Sequence, residues 1–149
     1  MQLTVLVENF CQNQKLRSEW GYSLYLSDPS TELLLDTGGY QHSLVHNASV
    51  LGLKWQNLQH IVLSHGHFDH TAGLMDAIRL APQAQIWAGP NIEKPRWSDA
   101  NQARNGGGGK LFSKVIDHTI NPWAQITPSV IAFTVPEPVS YTHLTLPTT

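Results

Sequence analysis

Apolar and polar positions alternate along the first third of the chain in a way that predicts strands. Leu3 to Val7 is a short apolar run. Gly21 to Leu26 sets Tyr22, Leu24 and Leu26 against Ser23 and Tyr25, and Glu32 to Leu35 follows after Ser27-Asp28-Pro29-Ser30. Asp and Ser bond nearby backbone and Pro presets φ, so these four residues predict the turn of a hairpin. The third strand ends in Asp36-Thr37-Gly38-Gly39, a polar turn. The period then lengthens. Leu44, Val45, Ala48 and Leu51 recur at helical spacing with Gly52 as a stop, predicting a helix over Ser43 to Leu51. His60 to Ser64 predicts a fourth strand. Thr71 to Leu80 predicts a helix capped by Thr71, with Leu74, Ala77 and Ile78 on its apolar face and Pro82 beyond its end. Gln85 to Ala88 predicts a fifth strand, and Lys114 to Ile116 and Val130 to Val135 predict later ones. Between them, Asn91 to Lys110 reads as one long loop with four consecutive glycines, Gly106 to Gly109. Those glycines lack the spacing and the Lys-Ser/Thr of a phosphate-binding loop. Hairpin strands followed by strand-helix alternation predict an α/β chain whose mixed sheet carries helices on at least one face.

Composition narrows the function classes. The chain has 149 residues, one domain's worth, and 41% hydrophobic residues supply a core. Its net charge of −2 gives no basic footprint for nucleic acid. No apolar run of about twenty residues predicts a membrane span. The opening MQLTVLVENF has no basic segment followed by an apolar one, so no signal peptide is expected. Cys11 is the single cysteine, which rules out an internal disulfide and fits a cytoplasmic setting. It reads as a small packed side chain.

The chemistry concentrates in one stretch, Leu63 to Leu74, LSHGHFDHTAGL. In an extended segment His65, His67 and Asp69 point to one side. Gly66 lets the backbone bend, and His70, at the expected helix start, turns toward the same volume. Three imidazoles and a carboxylate suit zinc, iron or manganese. Two ions about 3.5–4 Å apart share a bridging hydroxide and polarise a phosphoryl or carbonyl oxygen. Scattered surface histidines are a poor competing account, because the stretch runs straight from the apolar Ile61-Val62-Leu63 into an amphipathic helix.

HGHFDH resembles the HxHxDH signature of the metallo-β-lactamase superfamily, and LLLDTGG, Leu33 to Gly39, resembles its earlier strand ending in Asp-x-Gly. With LTVLVEN, HNASVLGL and EKPRWS, the text from Met1 to about Pro138 looks like the branch of dihydropterin-ribofuranosyl-aminobenzene-phosphate synthase-like hydrolases. That resemblance implies the amino-terminal half of an αββα sandwich. It implies a metal-dependent hydrolase that attacks with a metal-bound hydroxide, on a phosphorylated or pterin-like small molecule. It implies two divalent ions, zinc first and iron or manganese as alternatives. His65 and His67 would hold the first ion, and Asp69 and His70 the second. Asp69 would also act catalytically by taking a proton, and Asp36 would hold the ligand loop through hydrogen bonds. A plain turn-former is the competing reading of Asp36.

Arg96 and Trp97 lie in the one basic-aromatic stretch, Glu93 to Ser98. Arg96 could hold a phosphate bidentately and Trp97 could stack on a flat ring, against the alternative of an ordinary surface loop. The superfamily's remaining ligands are a later His, a bridging Asp and a final His. Downstream the chain offers only His118 and His143, and His118, in VIDHTI, does not resemble the later motif. His42 and His46, four apart, read as a solvated helix face, and His60 as an ordinary strand residue. Residues 138–149, PVSYTHLTLPTT, carry no charge and resemble translated adapter sequence, so the expected division is 1–137 as the natural part and 138–149 as a non-native tail. Half a sandwich would leave a sheet face uncovered and prone to self-association. Two alternatives stand beside hydrolysis: a di-iron redox protein of the same superfamily, and an inactive metal-binding fragment.

Overall fold

The computed structural model describes residues 1–39, 42–97, 104–106 and 114–135. The strands are β1 (Gln2–Val7), β2 (Ser23–Asp28), β3 (Thr31–Leu35), β4 (His60–Leu63), β5 (Gln85–Ala88), β6 (Arg96–Trp97), β7 (Arg104–Gly106), β8 (His118–Thr119), β9 (Trp123–Thr127) and β10 (Val130–Phe133). The helices are α1 (Ser43–Val50), α2 (Phe68–Thr71) and α3 (Leu74–Leu80). Six strands form one sheet in the order β1-β2-β3-β4-β5-β8. The β1-β2 and β2-β3 pairs are antiparallel; the β3-β4, β4-β5 and β5-β8 pairs are parallel. This is the mixed α/β sheet expected from the sequence.

The sheet's two faces divide the core. Leu34, Ile61, Leu63, Ile86 and Ala88 point one way and pack with Leu44 and Ala48 of α1 and Leu74 and Ala77 of α3. Leu33, Val62 and Trp87 point the other way and meet Ile126, Ala124 and Ala132 of the β9-β10 hairpin. A parallel strand covered on both faces reads as an unbroken apolar run. That is why Ile61, Val62 and Leu63 are all buried. Each such side chain contributes about 1.5–3 kcal/mol on burial.

Several expectations shift. The β2-β3 turn is only Pro29-Ser30, because Asp28 Oδ1 accepts both the backbone N–H and the hydroxyl of Ser30, each at 2.9 Å, which lets β2 run on to Asp28. The helix foreseen over Thr71 to Leu80 is two helices. Thr71 does not cap the second: it ends α2, and its hydroxyl donates back to the His67 carbonyl at 2.8 Å. The strand foreseen at Lys114 to Ile116 lies at His118–Thr119 instead. Asp117 makes the preceding link, its backbone N–H donating to the Ile86 carbonyl and its carboxylate accepting the Ile86 N–H. Val115 and Ile116 supply core packing from outside the sheet. The Asn91 to Lys110 loop contains a short ladder, β6 against β7. Strand β9 was unforeseen, although WAQIT alternates and Pro128-Ser129 is a turn before β10. The tail expected at 138–149 lies outside the described residues.

Candidate metal centre

The histidine stretch leaves the carboxyl end of β4, where α/β sheets place their ligands. His65 and His67 sit before the helix, while Asp69 and His70 lie on the single turn of α2. The simple alternation foreseen for 65, 67 and 69 therefore ends at His67, and helical winding brings Asp69 and His70 round. Gly66 is buried and is not among the positive-φ residues. The imidazoles converge: His65 lies 4.8 Å from His67 and 4.1 Å from His70, centroid to centroid. His70 Nε2 is 3.8 Å from Asp69 Oδ2.

Asp36 organises the group from the end of β3. It is 1% exposed. Its Oδ1 accepts the backbone N–H of Ser64 at 2.8 Å, and its Oδ2 accepts the Ser64 hydroxyl at 2.6 Å and His70 Nδ1–H at 2.8 Å. It is thus more than a turn-former. With Nδ1 engaged, His70 presents Nε2 toward Asp69. The hydrogen bond that His70 donates to Asp36 raises the His70 pKa above its usual value. Burial, followed by the charges of His70 and His67, pushes His65 down to about 4. His65 is therefore a neutral imidazole at physiological pH, the form that ligates metals.

Borderline imidazole nitrogens beside a carboxylate fit a divalent transition ion in kind. Among the described residues, however, no three His, Cys, Asp or Glu side chains close on one point suited to an ion. The four donors converge without a finished shell. The other histidines take separate roles. His42 is solvated, as expected, and stands at the N-cap of α1 in a left-handed conformation, where its Nδ1 meets Asp76 at 2.8 Å. His46 bonds the Lys15 carbonyl. His60 pairs with Trp87 Nε1 at 3.2 Å, and His118 stacks on the same indole at 4.0 Å. The side chains of Arg96 and Trp97 lie outside the described residues, but their strand pairs with β7, which lies against α2. Ser64 is a site residue that the sequence motif does not single out; its hydroxyl joins Asp36 to His65. Its only signal was its place directly before the first histidine.

The fold and site together are a mixed sheet with a donor-rich turn at the carboxyl end of a parallel strand. The model of the metallo-beta-lactamase superfamily matches residues 21–146, and the chain belongs to that superfamily. It is similar to the 7,8-dihydropterin-6-methyl-4-(beta-D-ribofuranosyl)-aminobenzene-5'-phosphate synthase of Methanocaldococcus jannaschii, at 30% identity over 100 residues, 63% of this chain and 34% of that protein. It is similar to the crystal structure of Tm1679, a metal-dependent hydrolase of the beta-lactamase superfamily, with TM-score 0.67 and 25% identity over 87% of this chain and 46% of that one. MEM-A1, a subclass B3 metallo-beta-lactamase from a soil metagenome library, shares the fold at TM-score 0.51 and 20% identity, over 72% of this chain and 43% of its own. The chain thus spans about a third of the curated relative and under half of each of these two structures. Among the described residues no helix is long and apolar enough to cross a membrane.

Proposed function

We propose that the chain carries the first half of a binuclear metallohydrolase centre acting on a phosphorylated or pterin-like small molecule. The observation that carries this is the convergence of His65, His67, Asp69 and His70 on one turn, with Asp36 orienting His70. His65 and His67 would hold one divalent ion, zinc before iron or manganese, and Asp69 and His70 a second. When bound, such ions supply Lewis acidity and activate water as a nucleophile. The chain's own part is to keep His65 neutral, aim His70 Nε2, and place the Asp69 carboxylate where it can take a proton during turnover. The β6-β7 ladder beside α2 supports Arg96 and Trp97 as the phosphate-holding and ring-stacking side chains. The relative's name supports the pterin and phosphate chemistry.

The test is metal stoichiometry by elemental analysis, paired with hydrolysis of a phosphoester panel. Bound zinc that falls by at least half in His67→Ala and Asp69→Asn, with hydrolysis lost alongside, is expected. Unchanged metal content in both variants would refute the ligand assignment.

A further inference from the structure

Ser64 sits between Asp36 and the first histidine. Its hydroxyl is 2.6 Å from Asp36 Oδ2 and 2.9 Å from His65 Nδ1. The hydroxyl has one proton and two acceptor lone pairs. Both oxygens of Asp36 already face donors, Ser64 N–H at Oδ1 and His70 Nδ1 at Oδ2, so the carboxylate is an acceptor on every side. It draws the hydroxyl proton. Toward His65 the serine oxygen then has only a lone pair to offer, and Nδ1 must be the donor.

We infer that Ser64 is a positioning residue that fixes His65 as its Nδ1–H tautomer, leaving Nε2 with the free lone pair. Asp36 thereby sets two imidazoles at once: His70 directly and His65 through one intervening hydroxyl. In both rings Nε2 is the nitrogen that these hydrogen bonds leave unengaged. Hydrogen bonds from a ligand's second nitrogen fix ring orientation and raise basicity. This assignment of Ser64 to metal binding rests on the proposed metal centre, but the tautomer itself does not.

The experiment reads the two separately. Long-range ¹H–¹⁵N spectra of the metal-free chain at neutral pH report which nitrogen of His65 is protonated. Nδ1–H is expected in the wild type and in Ser64→Thr, which keeps the hydroxyl. In Ser64→Ala the signal is expected to move to Nε2–H or to a mixture. Zinc affinity, by chelator competition, is expected to fall about 10- to 100-fold in Ser64→Ala and to recover in Ser64→Thr. A wild-type His65 protonated at Nε2, or an Nδ1–H signal untouched in Ser64→Ala, overturns the tautomer assignment. A shifted tautomer with unchanged zinc affinity overturns the link to ligation. If the tautomer responds and neither protein binds zinc, the serine relay stands and the metal centre is what fails.

Discussion

Asp36 holds a left-handed backbone, φ 57°, which disfavours any residue with a Cβ and is tolerated best by Asp and Asn after glycine. Such strain persists where the surroundings over-determine it. Here the fixing groups are Ser64 and His70, the residues whose geometry it controls. A consequence at this scale is a pair of opposed titrations in the metal-free chain. His65 stands at about 4 against the ordinary 6.5, so the unfolded chain takes up its proton first and stability falls as pH drops from about 6.5 toward 4. His70 is raised, so its contribution is present below 6.5 and is lost as pH rises through its folded value. Urea midpoints measured across that range are expected to show His65→Gln flattening the acid-side loss and His70→Gln losing most stability below pH 6.5. Equal losses from both variants at every pH would contradict the two directions. The ligand types and the Asp-x-Gly turn were legible as letters, because metal donors are rare and their crowding is conspicuous. Ser64 was not, since a serine declares nothing until its partners from another strand are known.

At the scale of elements, the loop's precision comes from backbone lacing between two strand ends. Thr37 donates its N–H at 2.7 Å and its hydroxyl at 3.0 Å to the His70 carbonyl. Ala72 N–H reaches the Gly38 carbonyl, and Tyr22 N–H the Asp69 carbonyl. The segments approach so closely that a Cβ on Gly73 would lie 2.2 Å from the Thr37 carbonyl oxygen. Gly73→Ala is therefore expected to destabilise the chain by about 1–3 kcal/mol, the scale of overpacking. Gly52→Ala is a useful contrast: nothing lies within 4 Å of its added Cβ and only its positive φ, 77°, opposes the change. Thermal melts should show the Gly73 variant less stable, and NMR spectra should show altered His70 resonances that Gly52→Ala leaves in place. The same close approach explains why one predicted helix is two. Periodicity over Thr71 to Leu80 marks the buried face of both pieces correctly, but carries no information about the Thr37 backbone that forces the break at Gly73. Strand β8 escaped for a related reason. Its two residues pair by backbone with Trp87 and Ala88, and Asp117 anchors it, while the apolar residues before it pack from outside the sheet.

At the scale of the whole molecule, a two-stranded hairpin faces a six-stranded sheet and covers only its middle. Leu33, Val62 and Ile126 are buried beneath it, whereas Leu3 and Val5 of β1, which pair with Leu26 and Leu24 on that same face, remain at least half exposed. The hairpin's own outer face carries Trp123 and Phe133 directly opposite one another, 61% and 71% exposed, with Ile131 beside them. Soluble monomers seldom show contiguous apolar patches beyond a few hundred Å². Among the described residues no further strand pairs with the outer edges of β9 and β10, and unpaired edges template further pairing. We propose that copies of the chain associate through this face. Sedimentation velocity is expected to show mass rising with protein concentration for the wild type. Trp123→Ser combined with Phe133→Ser removes the two largest exposed rings without touching the buried Ala124, Ile126 or Ala132. It should shift the distribution toward monomer, leaving the His65–His70 resonances unchanged because the metal loop springs from the carboxyl end of β4 and not from the hairpin. A wild type that stays monomeric throughout, or a double variant that associates just as strongly, would place the exposed rings outside any contact between copies.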